Sequence, residues 1–270
     1  MKRILKKAFN TFGLDIVRLD RSGSGTQTDP QLNYEYNAEA LESIRIIRPY
    51  TMVPYVNLVT LFELVKYCEE NHIEGDYVEC GVWKGGCVGL MALANLKYGR
   101  STKRNLHLFD AFDDICEPDP VVDGKKAVED IYFYTKRKES LSGKLQPVKG
   151  FYDPLGGHGT VEGNRQLLEE IIGYPVENTF YHVGWFQDTL PGAKEKIQKI
   201  ALLRLDGDWY ESTKVCIQSL YDKVVPGGVI IVDDYGTYEG CKKAITEFIQ
   251  EKELKVFLSY SNTDCRYWIK

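Results

Sequence analysis

The sequence predicts an α/β fold on a seven-stranded, mostly parallel sheet. Three observations carry this. From residue 76 onward, short β-rich runs alternate with helix-length segments, the mark of βαβ units. The last two runs, KVFLSY and CRYWIK, flank the turn-forming SNTD, which predicts an antiparallel hairpin at the sheet edge. Nearly every β run ends in an acid, as expected where strand ends face a ligand.

The elements follow in chain order. MKRILKKAFNTF sets Lys2, Arg3, Lys6 and Lys7 against Ile4, Leu5, Phe9 and Phe12, a pattern suited to a docking helix that closes a dimer or the core, or to peripheral membrane contact. The polar DRSGSGTQTDPQ, residues 20–31, cannot bury a face and reads as a linker. Residues 1–50 are accordingly a helical arm plus linker, and residues 51–270 the main domain. NAEALESIRIIRPY and VNLVTLFELVKYCEENH carry apolar residues at helical spacing ahead of the first strand. The strands are DYVECGV, NLHLFDAF, TFYHVG, IALLRLD, GVIIVDDY and the two hairpin runs. Helices are expected near 86–98, 187–198, 211–224 and 239–252. Residues 113–178 break the rhythm with Lys, Asp and Gly and at most short helices, which predicts a mobile lid over the site.

Composition narrows the partners. With 39 Asp and Glu against 34 Lys and Arg, the net charge is −5, contrary to the dense positive face that nucleic acid requires. Seven scattered cysteines without a CxxC pair suit neither a disulfide framework nor a structural zinc site, and imply a reducing cytosol. No apolar stretch approaches the roughly 20 residues of a membrane span.

ECGVWKGG turns from strand to helix through Gly81, Gly85 and Gly86, bringing backbone and helix N–H groups close to a ligand. It lacks the dinucleotide spacing. Asp110, ending the second strand, suits the vicinal hydroxyls of a ribose, so a nucleoside is better supported than a diphosphate. Gly184 and Trp185 end the third strand, and Trp185 with Phe186 offers an adenine face. The fourth and fifth strands should be adjacent, about 4.8 Å apart, so that Asp206, Asp233 and Asp234 converge. Carboxylates that close need a compensating cation, and hard oxygen ligands in an open site favour Mg²⁺ ahead of Mn²⁺ or Ca²⁺. Asp208 then faces the substrate as proton acceptor. Helix capping explains one such acid, not four at two neighbouring strand ends. His158 lies in the lid as a candidate second base; His107 and His182 sit within strands as packed residues.

Together, GDYVECGVWKGG, LFDAFD, GWFQDTLP, LLRLDGDWYEST, PGGVIIVDDYG and GCKKAITEF resemble the macrocin O-methyltransferase family over about residues 50–252. The resemblance implies the Rossmann-like class I fold of methyltransferases dependent on S-adenosylmethionine (SAM) and methylation of a sugar hydroxyl. It also implies SAM contacts at Glu79, Gly81, Asp110, Gly184 and Trp185, metal ligands at Asp206, Asp233 and Asp234, and Asp208 as general base. Where related sequences often carry serines after the double glycine, this chain has Cys87 and Val88, implying that backbone N–H groups hold the methionine carboxylate. A catechol-type phenol acceptor, a metal-dependent glycosyltransferase using the DGD motif and a non-catalytic nucleoside-binding module are the alternatives.

Overall fold

A computed structural model of the chain describes residues 37–99, 103–136, 140–143 and 146–270. The expectations for residues 1–12 and the 20–31 linker lie outside the described residues. Asn37–Lys270 forms one compact unit.

Two helices lead in. α1 (Ala38–Ile47) starts on the side chain of Asn37, which accepts the Ala40 N–H, and buries Ala40, Ile44 and Ile47. α2 (Tyr55–Glu70) buries Leu58, Leu61, Phe62, Val65 and Cys68 along one stripe, the helical period read in the sequence. α1 shares its apolar cluster with α2 and packs with the sheet-bearing unit. The expected start of the main domain at residue 51 therefore falls after a helix that already belongs to this unit.

Five parallel strands follow: β1 (Asp76–Cys80), β2 (Leu106–Asp110), β3 (Thr179–Val183), β4 (Ile200–Leu205) and β5 (Val224–Val232). β6 (Ser259–Tyr260) and β7 (Arg266–Ile269) complete the sheet in the order β3-β2-β1-β4-β5-β7-β6, with β7 antiparallel to both its neighbours. The seven-stranded sheet and its terminal antiparallel pair agree with the sequence reading. β6 is shorter than KVFLSY because Val256 and Leu258 pack onto the helix-covered face instead of extending the ladder.

α3 (Gly86–Tyr98) joins α1 and α2 on one face; α6 (Phe186–Ala193), α7 (Tyr210–Leu220) and α8 (Glu239–Glu251) cover the other. α6 stops at Ala193 rather than near 198, just after Pro191 and Gly192, the two poorest helix formers.

The insertion is more ordered than its composition suggests. It contains α4 (Gly124–Thr135), the short α5 (Val161–Arg165) and a π-helical turn, Gln166–Ile171. Cys116, Ala127, Ile131, Val148 and Phe151 form a small core there with Trp209 from the loop after β4. The expectation of only short helices is thus corrected at α4, whose apolar face closes on that core. Residues 132–135 supply the end of α4, and Tyr134 among them reaches the central cavity. No helix among the described residues is long and apolar enough to cross a membrane.

Candidate active site

Pairing register builds the site. Glu79 on β1 lies directly beside Arg204 on β4, and Cys80 beside Leu205, so the first residues past each strand emerge together at the carboxyl edge. Asp206 N–H donates to Cys80 O at 2.8 Å, and Asp233 N–H to Leu205 O at 2.9 Å, extending the ladder by one step into the acids. Gly81 makes this possible: with φ +88°, it passes so close to β4 that a Cβ would sit 1.8 Å from Asp206 O.

A cavity of about 230 Å³ opens here, lined among others by Glu79, Gly81, Asp110, Asp206, Asp208 and Asp234. A smaller one, about 60 Å³, adjoins it and is lined by Gly184, Trp185 and Phe186 as well as Asp110 and Asp206. Every predicted cofactor and acid position therefore borders one of these two cavities, whose linings share Gly81, Asp110, Asp206 and Asp208. His158 is exposed, while His107 bridges His182 (3.1 Å) and Asp76 (3.2 Å) within the sheet, the structural role expected of both strand histidines.

The cation among the acids is a side chain that the reading overlooked. Arg204, 2% exposed, donates through Nη1 to Glu79 Oε1 (2.6 Å) and Asp206 Oδ2 (2.7 Å), and its Nη2 lies 3.0 Å from Asp233 Oδ1. The signal was present: an arginine inside IALLRLD, a strand buried on both faces, requires anionic partners. Asp233, expected as the third metal ligand, is thus turned toward Arg204. Asp206, Asp208 and Asp234 instead bring one oxygen each within 4.8 Å of one another.

Charge is only partly balanced. Loss of hydration, then repulsion by Asp206, raises Asp208 well above the usual carboxylate range; loss of hydration, then repulsion by Asp208, does the same to Asp234. Asp234 Oδ2 is buried with no hydrogen-bond partner. An orphaned hard oxygen beside two further carboxylates fits a small divalent cation, with Asp206, Asp208 and Asp234 as the group able to hold it.

Two features flank this centre. Glu79 Oε2 is buried and unpartnered beside the cavity, and burial raises Glu79 to about 8 despite Arg204. No side chain caps the α3 N-terminus, where Gly86 and Cys87 line the cavity, so its N–H groups can receive a carboxylate. Thr51, unrecognised in the sequence, also lines it, with Oγ1 3.9 Å from Cys87 Sγ. A hydroxyl therefore enters from a neighbouring segment near the position where serine is often found. Asp110 accepts the N–H groups of Val82 (2.7 Å), Trp83 (2.9 Å) and Phe112 (2.7 Å), tying the β1–α3 loop to β2.

Asp208 is held in an uncommon conformation. Its φ is +57°, and Trp209 N–H donates across it to Gly207 O at 2.6 Å, closing a three-residue turn. Such geometry costs on the order of 1–3 kcal/mol and persists where surrounding contacts enforce it.

This strand order, with ligand cavities at the carboxyl edge and acids after β1, β2, β4 and β5, defines a class I SAM-dependent methyltransferase fold. The macrocin-O-methyltransferase (TylF) profile matches residues 25–146 and 173–270. The chain belongs to that family and is an O-methyltransferase. It is 32% identical over 219 residues to demethyldecarbamoylnovobiocin O-methyltransferase of Streptomyces niveus, covering 81% of this chain and 75% of that one. It is 30% identical over 199 residues to 8-demethyl-8-(2,3-dimethoxy-alpha-L-rhamnosyl)-tetracenomycin-C 4'-O-methyltransferase of Streptomyces olivaceus, covering 74% and 67%. Among solved structures, the O-methyltransferase NovP superposes with TM-score 0.62 at 30% identity, covering 82% of each chain. The calicheamicin methyltransferase CalS11 shares the fold, with TM-score 0.55 at 18% identity over 92% of this chain and 99% of that one.

Proposed function

We propose that the protein transfers a methyl group from SAM to a hydroxyl of a sugar, with a divalent cation, Mg²⁺ foremost, at the acid centre. The observation that carries this reading is the convergence of Asp206, Asp208 and Asp234 beside a cavity that also offers Glu79 Oε2 and the open α3 N-terminus. Glu79 would receive the ammonium of the donor and the α3 N–H groups its carboxylate. Asp110 has accepting capacity left for ribose hydroxyls beyond its three backbone donors. Gly184 and Trp185 would border the adenine. The sugar acceptor is suggested by the relatives, one of which is named for the 4'-position of a rhamnosyl group.

A divalent ion in the acid centre supplies Lewis acidity toward a hydroxyl and a template for a neighbouring one. Asp206 and Asp234, common to the expected and the converging sets, would hold it together with one oxygen of Asp208. Asp233 serves as counter-ion to Arg204. Asp208, through its other carboxylate oxygen, would take the proton from the acceptor hydroxyl while that hydroxyl's oxygen displaced the sulfur from the methyl carbon. Loss of hydration raises Asp208, and a divalent ion beside it would draw it back toward the ionised form that can accept a proton.

The test is a panel of methyl and aryl glycosides alongside catechol, each with SAM and Mg²⁺, following S-adenosylhomocysteine release. Glycoside-dependent release that chelator stops is the expected result. Turnover of catechol alone would assign a phenol acceptor.

A further inference from the structure

We propose that Asp123, in the insertion, is a positioning residue that holds Asp208 at the acid centre. The inference rests on reading Asp208 as the base beside a divalent ion. Asp123 is 2% exposed and lines neither cavity. Its Oδ1 accepts the Tyr210 N–H at 2.7 Å, and its Oδ2 accepts the Asp119 N–H at 2.7 Å. Tyr210 is the first residue of α7, so the carboxylate also meets the positive end of that helix. Trp209, 2% exposed, donates through Nε1 to Cys116 O at 2.8 Å. Both residues that follow Asp208 are therefore anchored to the insertion.

The same segment grips the loop after β5. Gly240, at the start of α8, lies so close that a Cβ there would sit 2.0 Å from Asp123 Oδ1, and Tyr238 O–H donates to Asp130 Oδ2 at 3.1 Å. The Trp209 and Tyr238 rings meet at 4.9 Å, joining the two acid-bearing loops beneath the insertion. These contacts supply the enforcement that the left-handed Asp208 requires. Residues 116–130 are on this account a brace for the acid centre. Any opening of the insertion would have to occur elsewhere in it.

The experiment uses full-length Asp123→Ala, Asp123→Asn and Trp209→Phe. Amide exchange is followed by mass spectrometry, Mn²⁺ binding by electron paramagnetic resonance, and S-adenosylhomocysteine binding by calorimetry. For Asp123→Ala, exchange across residues 208–212 should rise about tenfold or more while the sheet stays protected. Mn²⁺ affinity should fall by about tenfold or more, the usual effect of losing a residue that orients a ligand, with S-adenosylhomocysteine binding unchanged. Asp123→Asn keeps an acceptor for the Tyr210 N–H and should recover most of the loss, whereas Trp209→Phe should move both readouts in the direction of Asp123→Ala. Unchanged exchange at 208–212, or loss of protection throughout the sheet, would overturn the proposal. If the unaltered protein binds no Mn²⁺, the ion reading fails by itself, and local exchange still decides whether Asp123 braces this loop.

Discussion

Arg204 Nη1 bridges Glu79 Oε1 at 2.6 Å and Asp206 Oδ2 at 2.7 Å, joining a residue inside β1 to the first acid beyond β4. Register explains the contact: Glu79 and Arg204 are lateral partners, so the guanidinium need only reach along its own strand to find Asp206 and across to find Asp233. One internal cation thereby fixes three acids and leaves Asp208 and Asp234 facing the cavity.

Removing that cation should be costly. Arg204→Met leaves Glu79, Asp206 and Asp233 without their shared counter-charge, and breaking a buried pair on one side costs about 3–5 kcal/mol. Arg204→Lys should cost less, because an ammonium keeps the charge but cannot span three carboxylates with a planar fork. Urea denaturation of both variants checks the order; equal stability in Arg204→Met and the parent would contradict it.

Asp208→Asn separates binding from chemistry. Asparagine nearly matches the volume of Asp208 and tolerates its left-handed backbone, but it cannot accept a proton. Turnover of the glycoside substrate should fall by about 10²–10⁴, with SAM binding by calorimetry unchanged. Activity near the parental level would remove Asp208 from the mechanism.

Gly81→Ala tests the strand crossing on which the site depends. A methyl group there meets Asp206 O at 1.8 Å and occupies φ +88°, so β1 and β4 must part at their carboxyl ends. A loss of at least about 2 kcal/mol in stability is expected from strain of this kind, together with weaker binding of S-adenosylhomocysteine. Thermal melts with and without that ligand read both effects.

Much of this arrangement was legible in the sequence. Alternating β runs and helices gave the seven strands, and acids at strand ends located the cavity, because both patterns are local. Arg204 was missed for the opposite reason. Its role depends on which strand lies beside β4, and the need for a counter-charge was assigned wholly to a metal although a buried arginine stood two residues before Asp206. The ordered α4 was missed because its apolar face, Ala127 and Ile131, is narrow and its partner Trp209 is 78 positions from Ile131 in the chain. Polar composition dominates such a segment, while its order comes from distant contacts such as Trp209 to Cys116 and Asp123 to Tyr210.

The acid centre also predicts how stability depends on pH. Burial lifts Glu79 from 4.5 to about 8, outweighing the attraction of Arg204, and lifts Asp233 from 3.8 to about 6 against the same attraction. Each group binds its proton more tightly in the folded protein than in the unfolded chain. Their contribution to stability is therefore fully present below the unfolded values and is lost as pH rises through the folded ones. Above Asp233's folded value of about 6, Glu79 is the one of this pair still titrating, toward about 8. Without divalent ions, denaturation at intervals from pH 6 to 8 should show stability declining. Glu79→Gln, which does not titrate, should lessen that decline without abolishing it, because Asp208 and Asp234 are raised as well, while a parental curve that is level or rising over the interval would contradict the raised values.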